Sequence, residues 1–164
     1  MKFIHEFGLK LIIIFALFSG VSCNESNPIN PFREYKKITL TTESGTEIQT
    51  YVAKSADKQR LGLSFVQPSD FNDDDAMLFT GETYKMRQFW MPETFFNLDI
   101  FFLGSNFEIL DVHRNIQHYT KRTPQEAVPL SKVSYCQHVL ELKATSPISK
   151  SLKVGDKLKS SESL

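Results

Sequence analysis

Asp99 lies inside the apolar run Leu98-Asp99-Ile100-Phe101-Phe102-Leu103, where an unpaired carboxylate would be costly to bury. Two roles fit a residue so placed. One is a general acid or base, or the polar anchor of a ligand pocket, with its pKa moved by burial. The other is a structural Asp that accepts hydrogen bonds from backbone or from an arginine such as Arg60 or Arg87. Glu141 sits in an alternating stretch, on the face with Tyr135, Gln137 and Val139, and reads as a solvated residue. Together with Asp99 it could instead supply the carboxylate pair of glycoside hydrolysis, which makes an envelope carbohydrate hydrolase the alternative function.

Other side chains carry weaker signals. His113, His118 and His138 could join a carboxylate in a nitrogen and oxygen metal site, but no pair has a recognised ligand spacing. Cys136 and His138 stand two residues apart on one strand face, within reach of thiol and base chemistry. Leu140 and Leu142 share that face, so a buried core thiol is the better reading. Asp73-Asp74-Asp75 offers oxygens without the spacing or central Gly of a calcium loop, and reads as a solvated turn. Phe89-Trp90-Met91, with Phe95 and Phe96, could line an apolar pocket, although most of the 14 Phe belong to a core. Phosphate loops, dinucleotide-binding turns and nucleophile elbows are missing from the sequence, and no cofactor is implied.

The elements that position these residues are short. Residues 35–42 and 47–53 alternate and flank Glu43-Ser44-Gly45-Thr46, the pattern of a hairpin. Residues 56–63 favour one or two helical turns, and 64–75 carry loop chemistry. Apolar runs at 77–79, 89–91, 98–103 and 107–112 are each too short for a helix. A polar connection over 115–132 holds Pro124 and Pro129 without periodicity, and loops of that length are usually functional or disordered. Residues 133–142 alternate again, Ser146-Pro147 is a helix start, and Gly155-Asp156 closes the ordered part. Helices between strands are scarce, so the expected fold is mainly β: one compact β-sandwich or jelly-roll-like domain with one or two short helices.

The N-terminus reads as an address. Lys2 and Lys10 precede the apolar run of residues 11–18, followed by Ser19, Gly20, Val21, Ser22 and Cys23, the layout of a secretory signal. Eight apolar residues are far fewer than the ~20 that span a bilayer as a helix. The segment resembles a bacterial lipobox, which implies acylation of Cys23. Residues 1–22 are then the lipoprotein signal peptide, 23–34 a lipidated Cys and flexible tether broken by Pro28 and Pro31, 35–159 the folded domain and 160–164 a tail. A disulfide from Cys23 to Cys136 is the alternative in an oxidising compartment. Without residues 1–22 the balance is 17 basic to 18 acidic groups, which leaves no nucleic-acid footprint.

Arg60-Leu61-Gly62-Leu63, Asp75-Ala76-Met77-Leu78-Phe79, Phe89-Trp90-Met91 with Thr94, Leu98, Asp99 and Ile100, then Val139-Leu140-Glu141-Leu142 with Ala144, and Val154-Gly155-Asp156 together resemble the bacterial and archaeal domain-of-unknown-function family 192. The resemblance spans roughly residues 38–158. It implies a compact β-sandwich, often exported or lipid-anchored, without an established biochemical activity. The chain departs from the family pattern with Ser64 for Met, Ala76 for Gly, Pro92-Glu93 for Lys-Asn, Asn97 for Pro and Thr145 for Gly.

These readings combine into a lipid-anchored, extracytoplasmic protein of the bacterial cell envelope. It is expected to act as a binding or accessory module rather than an enzyme, with membrane lipid as a partner through Cys23 and a small-molecule or envelope ligand at Arg60, Trp90, Thr94 and Asp99. The contact surface is expected to run from residues 90–99 to the 115–132 loop. A surface structural or adhesion lipoprotein is a third reading.

Overall fold

The computed structural model describes residues 31–119 and 128–163. The signal segment, Cys23 and most of the tether lie outside the described residues, as does the middle of the 115–132 connection. Among the described residues, nine strands and two short α-helices make a single, mainly β domain: β1 (Lys36–Thr41), β2 (Glu47–Ala53), α1 (Ala56–Leu61), β3 (Asp75–Phe79), β4 (Lys85–Arg87), β5 (Leu98–Leu103), β6 (Ile109–Ile116), β7 (Ser134–Cys136), β8 (His138–Lys143), α2 (Pro147–Ser151) and β9 (Lys159–Ser160). Seven strands form one sheet in the order β6-β5-β8-β3-β2-β1-β9, and β4 pairs with β7 in a separate ribbon. Among the described residues no helix is long and apolar enough to cross a membrane.

The hairpin expected over residues 35–53 is present, with Lys36 opposite Val52 and Thr41 opposite Glu47. The chain then crosses over through α1 and returns as β3, which runs parallel to β2, so a helix does intervene once between neighbouring strands. The other pairings are antiparallel.

β5, β8 and β3 are buried along nearly their whole length, because the sheet carries a core on each face. Met77, Phe79, Ile100, Phe102 and Val139 pack on one side with Phe71 and Met91. Leu78, Phe101, Leu103, Leu140 and Leu142 pack on the other with Leu152 and Leu158. A strand buried on both faces shows continuous apolar character rather than alternation, which is why LDIFFL of β5 reads as one run.

Three expectations change. Residues 89–91 form no strand; they make an isolated bridge, Trp90 to Leu130, while the strand of that region is β4. The stretch 133–142 breaks at Gln137, with its two halves in different sheets. The ordered chain continues past Asp156 to β9, which pairs with β1.

A buried carboxyl beneath two strained segments

Glu141 occupies the middle of β8, opposite Met77 on β3 and Ile100 on β5. It is only 4% exposed, so the solvated residue expected from alternation is instead a buried one. The reason is β8's central position, which removes the solvent face that alternation would need. Among the described residues, nothing hydrogen-bonds or ion-pairs with its carboxyl. Burial pushes its pKa up to about 8, so the group is mostly a neutral acid at pH 7.

Two segments cross above it. The first is the end of α1 and the turn after it. Ser55 caps the helix by accepting from the Lys58 N–H, and Gly62 ends it by donating to the Lys58 carbonyl. Gly62 has φ +50°, a conformation that favours glycine, and a Cβ there would sit tightly against the Phe79 ring at 3.3 Å. The second segment, residues 89–94, is tied to 129–131. Met91 N donates to the Pro129 carbonyl (3.1 Å) and Ser131 N to the Phe89 carbonyl (2.7 Å).

The two segments hold each other. Phe65 N donates to the Glu93 carbonyl at 2.8 Å, and Ser64 Oγ donates to the Pro92 carbonyl at 2.8 Å. Thr94 Oγ1 donates to the same carbonyl at 3.3 Å. Phe65 and Glu93 both adopt positive φ, +65° and +48°, a conformation that costs a non-glycine residue about 1–3 kcal/mol and tends to gather at functional sites.

Together these segments close a cavity of about 30 Å³ with Glu141 in its wall, alongside Gln59, Ser64, Phe79, Met91 and Thr94. That is room for roughly two waters or a group of similar size. Arg60 and Trp90 also line it, on the outer rim. Trp90 is 44% exposed. Arg60 pairs with Asp57 at 2.8 Å, both side chains largely in solvent, a contact that contributes little.

Arg60, Trp90 and Thr94 thus meet at one place, and Asp99 does not join them. Asp99 pairs with Leu142 across β5 and β8, and faces the opposite side of the sheet from Glu141. Its Oδ2 accepts from Arg114 Nη1 (2.7 Å) and Ser149 Oγ (2.6 Å), and its Oδ1 accepts from Asn115 N (2.7 Å). Arg114 also donates to the carbonyls of Ser149 and Leu152. The network fastens β5, β6 and α2 together, and the arginine in it is Arg114, not Arg60 or Arg87. Asp99 and Glu141 cannot flank one glycosidic bond with the sheet between them, so a hydrolase using that pair does not fit the geometry.

The histidines are dispersed. His113 Nδ1 accepts from Lys132 N (2.8 Å), His118 Nδ1 contacts Asn97 Oδ1 (2.7 Å), and His138 Nδ1 accepts from Gly81 N (3.2 Å). Among the described residues no three His, Cys, Asp or Glu side chains gather as a metal ion would need. Cys136 is buried with a free thiol and its pKa raised by burial. The break at Gln137 sends it to one core while His138 stacks on Phe107 beside the other, so the two do not share a face. Asp75 is likewise buried rather than solvated, and its Oδ2 accepts from Asn72 N (2.7 Å).

The residues around this cavity come from residues 59–64, Phe79, residues 89–92, Thr94, Leu98 and Glu141, and a family model described as DUF192, Uncharacterized ACR, COG1430, matches residues 38–160. The chain belongs to the DUF192 family. Two solved structures share the fold. One, from Sinorhizobium meliloti 1021, is described as a "putative transcription regulator"; it is 25% identical, with 77% of this chain and 95% of that one covered and a TM-score of 0.63. The other is a protein of unknown function from Novosphingobium aromaticivorans DSM 12444, 26% identical, covering 76% of this chain and 84% of that one, with a TM-score of 0.60. No curated protein matches the chain. In this DUF192 chain, Ser64, Pro92 and Glu93 fall where the two strained segments cross.

Proposed function

We propose that this chain is an exported lipoprotein, anchored through an acylated Cys23, whose DUF192 domain is a binding module with its ligand site at the Glu141 cavity. The carrying observation is the Glu141 carboxyl, buried without a partner among the described residues beneath two segments strained at Phe65 and Glu93. A core would be more stable with an apolar residue there, so a buried acid without a partner points to use. The exposed Trp90 supplies a broad apolar rim of the kind binding sites use. Export and anchoring rest on the basic residues, apolar run and Cys23 of the N-terminus. The even charge balance gives no support to a nucleic-acid partner.

The binding reading is tested by incubating the full chain with a small-molecule extract of cell envelopes, repurifying it, and identifying retained species by mass spectrometry. A species kept by the wild type and lost by Trp90→Ala and Glu141→Gln supports the reading; no retained species, or one indifferent to both substitutions, overturns it. Anchoring is tested by feeding cells a labelled fatty acid. Label should enter the wild type and not Cys23→Ser, and equal labelling of the two would contradict the anchor.

A further inference from the structure

Apart from Glu141, whose protonated carboxyl also carries one donor until it ionises, the polar side chains inside the cavity are left as acceptors. Ser64 Oγ and Thr94 Oγ1 both donate their hydroxyl protons to the Pro92 carbonyl, which leaves their lone pairs free to face the cavity they line. Gln59 directs its amide nitrogen to the Thr80 carbonyl (2.7 Å), with the Ala53 and Lys54 carbonyls at 3.2 and 3.3 Å. Its side-chain oxygen is the group that remains. Glu141 adds two more oxygens. The donor side chains of the lining, Arg60 and Trp90, stand on the exposed rim, and Arg60 is turned to Asp57.

A set of acceptors around an acid fits a group that only donates. We propose that the Glu141 cavity takes the primary ammonium of an alkylamine, held by the Glu141 carboxylate and the oxygens of Ser64 and Thr94, with the alkyl stem lying against Trp90. This rests on the binding reading above and names its ligand class. The volume of about 30 Å³ suits an ammonium and little more, so the rest of the ligand extends past the rim.

Binding moves one proton. The acid Glu141 gives up its proton to solvent, and the resulting carboxylate pairs with an ammonium that is charged throughout, its pKa being about 10.4 in the lysine side chain. No other ionisable group lines the cavity apart from Arg60 on α1, which stays charged; β3, β5 and residues 89–94 bring none to its wall. The linkage therefore belongs to Glu141, and binding tightens as pH rises toward about 8.

The test is calorimetric titration of the full chain with butylammonium chloride, beside butanol, sodium butyrate, tetramethylammonium chloride and potassium chloride. Butylammonium should bind about tenfold tighter at pH 9 than at pH 7, releasing a proton at pH 7. Glu141→Gln should lose at least tenfold at pH 9, and Thr94→Val, which keeps the shape of the side chain, about tenfold. Competition by phosphatidylethanolamine vesicles but not phosphatidylcholine vesicles would place the amine on a lipid headgroup, and no competition would place it on a free molecule. Butanol or butyrate binding as tightly, with the same dependence on Thr94, would overturn the ammonium while leaving the cavity as a ligand site. Equal binding of tetramethylammonium or potassium would overturn it too, as would silence of all five probes.

Discussion

The backbone N–H of Phe65 donates to the carbonyl of Glu93 at 2.8 Å, and each of these residues sits at positive φ. Each holds the other in a conformation that neither would choose alone, and the crossing they make is the roof over Glu141. The Phe65 side chain is 57% exposed, so substitution there acts mainly through the backbone. Phe65→Gly should leave stability within about 0.5 kcal/mol, since relief of left-handed strain offsets the greater freedom of glycine in the unfolded chain. Phe65→Ile, β-branched, should cost about 1 kcal/mol or more. Urea unfolding separates them; equal losses would mean that side-chain packing, not backbone strain, governs the crossing.

Asp99 behaves differently from Glu141 although both are buried acids. Removing it leaves Arg114 facing the carbonyls of Ser149 and Leu152 alone and strips the Asn115 N–H and the Ser149 hydroxyl of their acceptor. Asp99→Ala should cost about 3 kcal/mol. Its effect on ligand affinity should be negligible once the protein is folded, because the network lies across the sheet from the cavity. A variant of near wild-type stability by thermal unfolding would contradict this.

Glu141→Gln should stabilise the protein at neutral and alkaline pH. The folded pKa of about 8 lies above the ordinary 4.5, so between these values the unfolded chain ionises while the folded one does not. The stability linked to Glu141 is complete below about pH 4.5, declines by about 1.4 kcal/mol per pH unit, and levels off above 8. Glutamine removes that slope. Denaturation at pH 5 and pH 8 should give nearly equal stabilities for the two proteins at pH 5 and an advantage to the variant of a few kcal/mol, on the order of 3–4, at pH 8. Other titrating groups, including His138 with its pKa lowered by burial, cancel in the comparison. A constant difference across pH would refute a raised pKa at Glu141.

The contrast between these two acids shows how far the sequence could be read. Asp99 was visible because its neighbours Leu98, Ile100 and Phe101 made it anomalous, yet its partner Arg114 lies on β6, where two register shifts in the pairing with β5 decide which residues meet. Nothing local encodes that. Glu141 reads as solvated in the sequence and is buried in the fold for a physical reason: the alternation of residues 133–142 spans a break at Gln137, and β8 is flanked by β3 and β5 with a core on each side. The mainly β architecture, the first hairpin, α1 and the Ser146 cap were legible because each depends on neighbours within a few residues. The convergence of Arg60, Trp90 and Thr94 was nameable from the sequence as residues but not as a cavity, because the parallel return of β3 beside β2 is a long-range pairing.

The protonation of Glu141 is the most direct test of this account. A carbon-13 NMR titration of its side-chain carboxyl, assigned by comparison with Glu141→Gln, reports it without any ligand. A midpoint near 8 is the predicted result. A midpoint near the ordinary 4.5 would mean that the carboxyl is hydrated or paired in solution, and would remove the ground for a ligand site at the cavity.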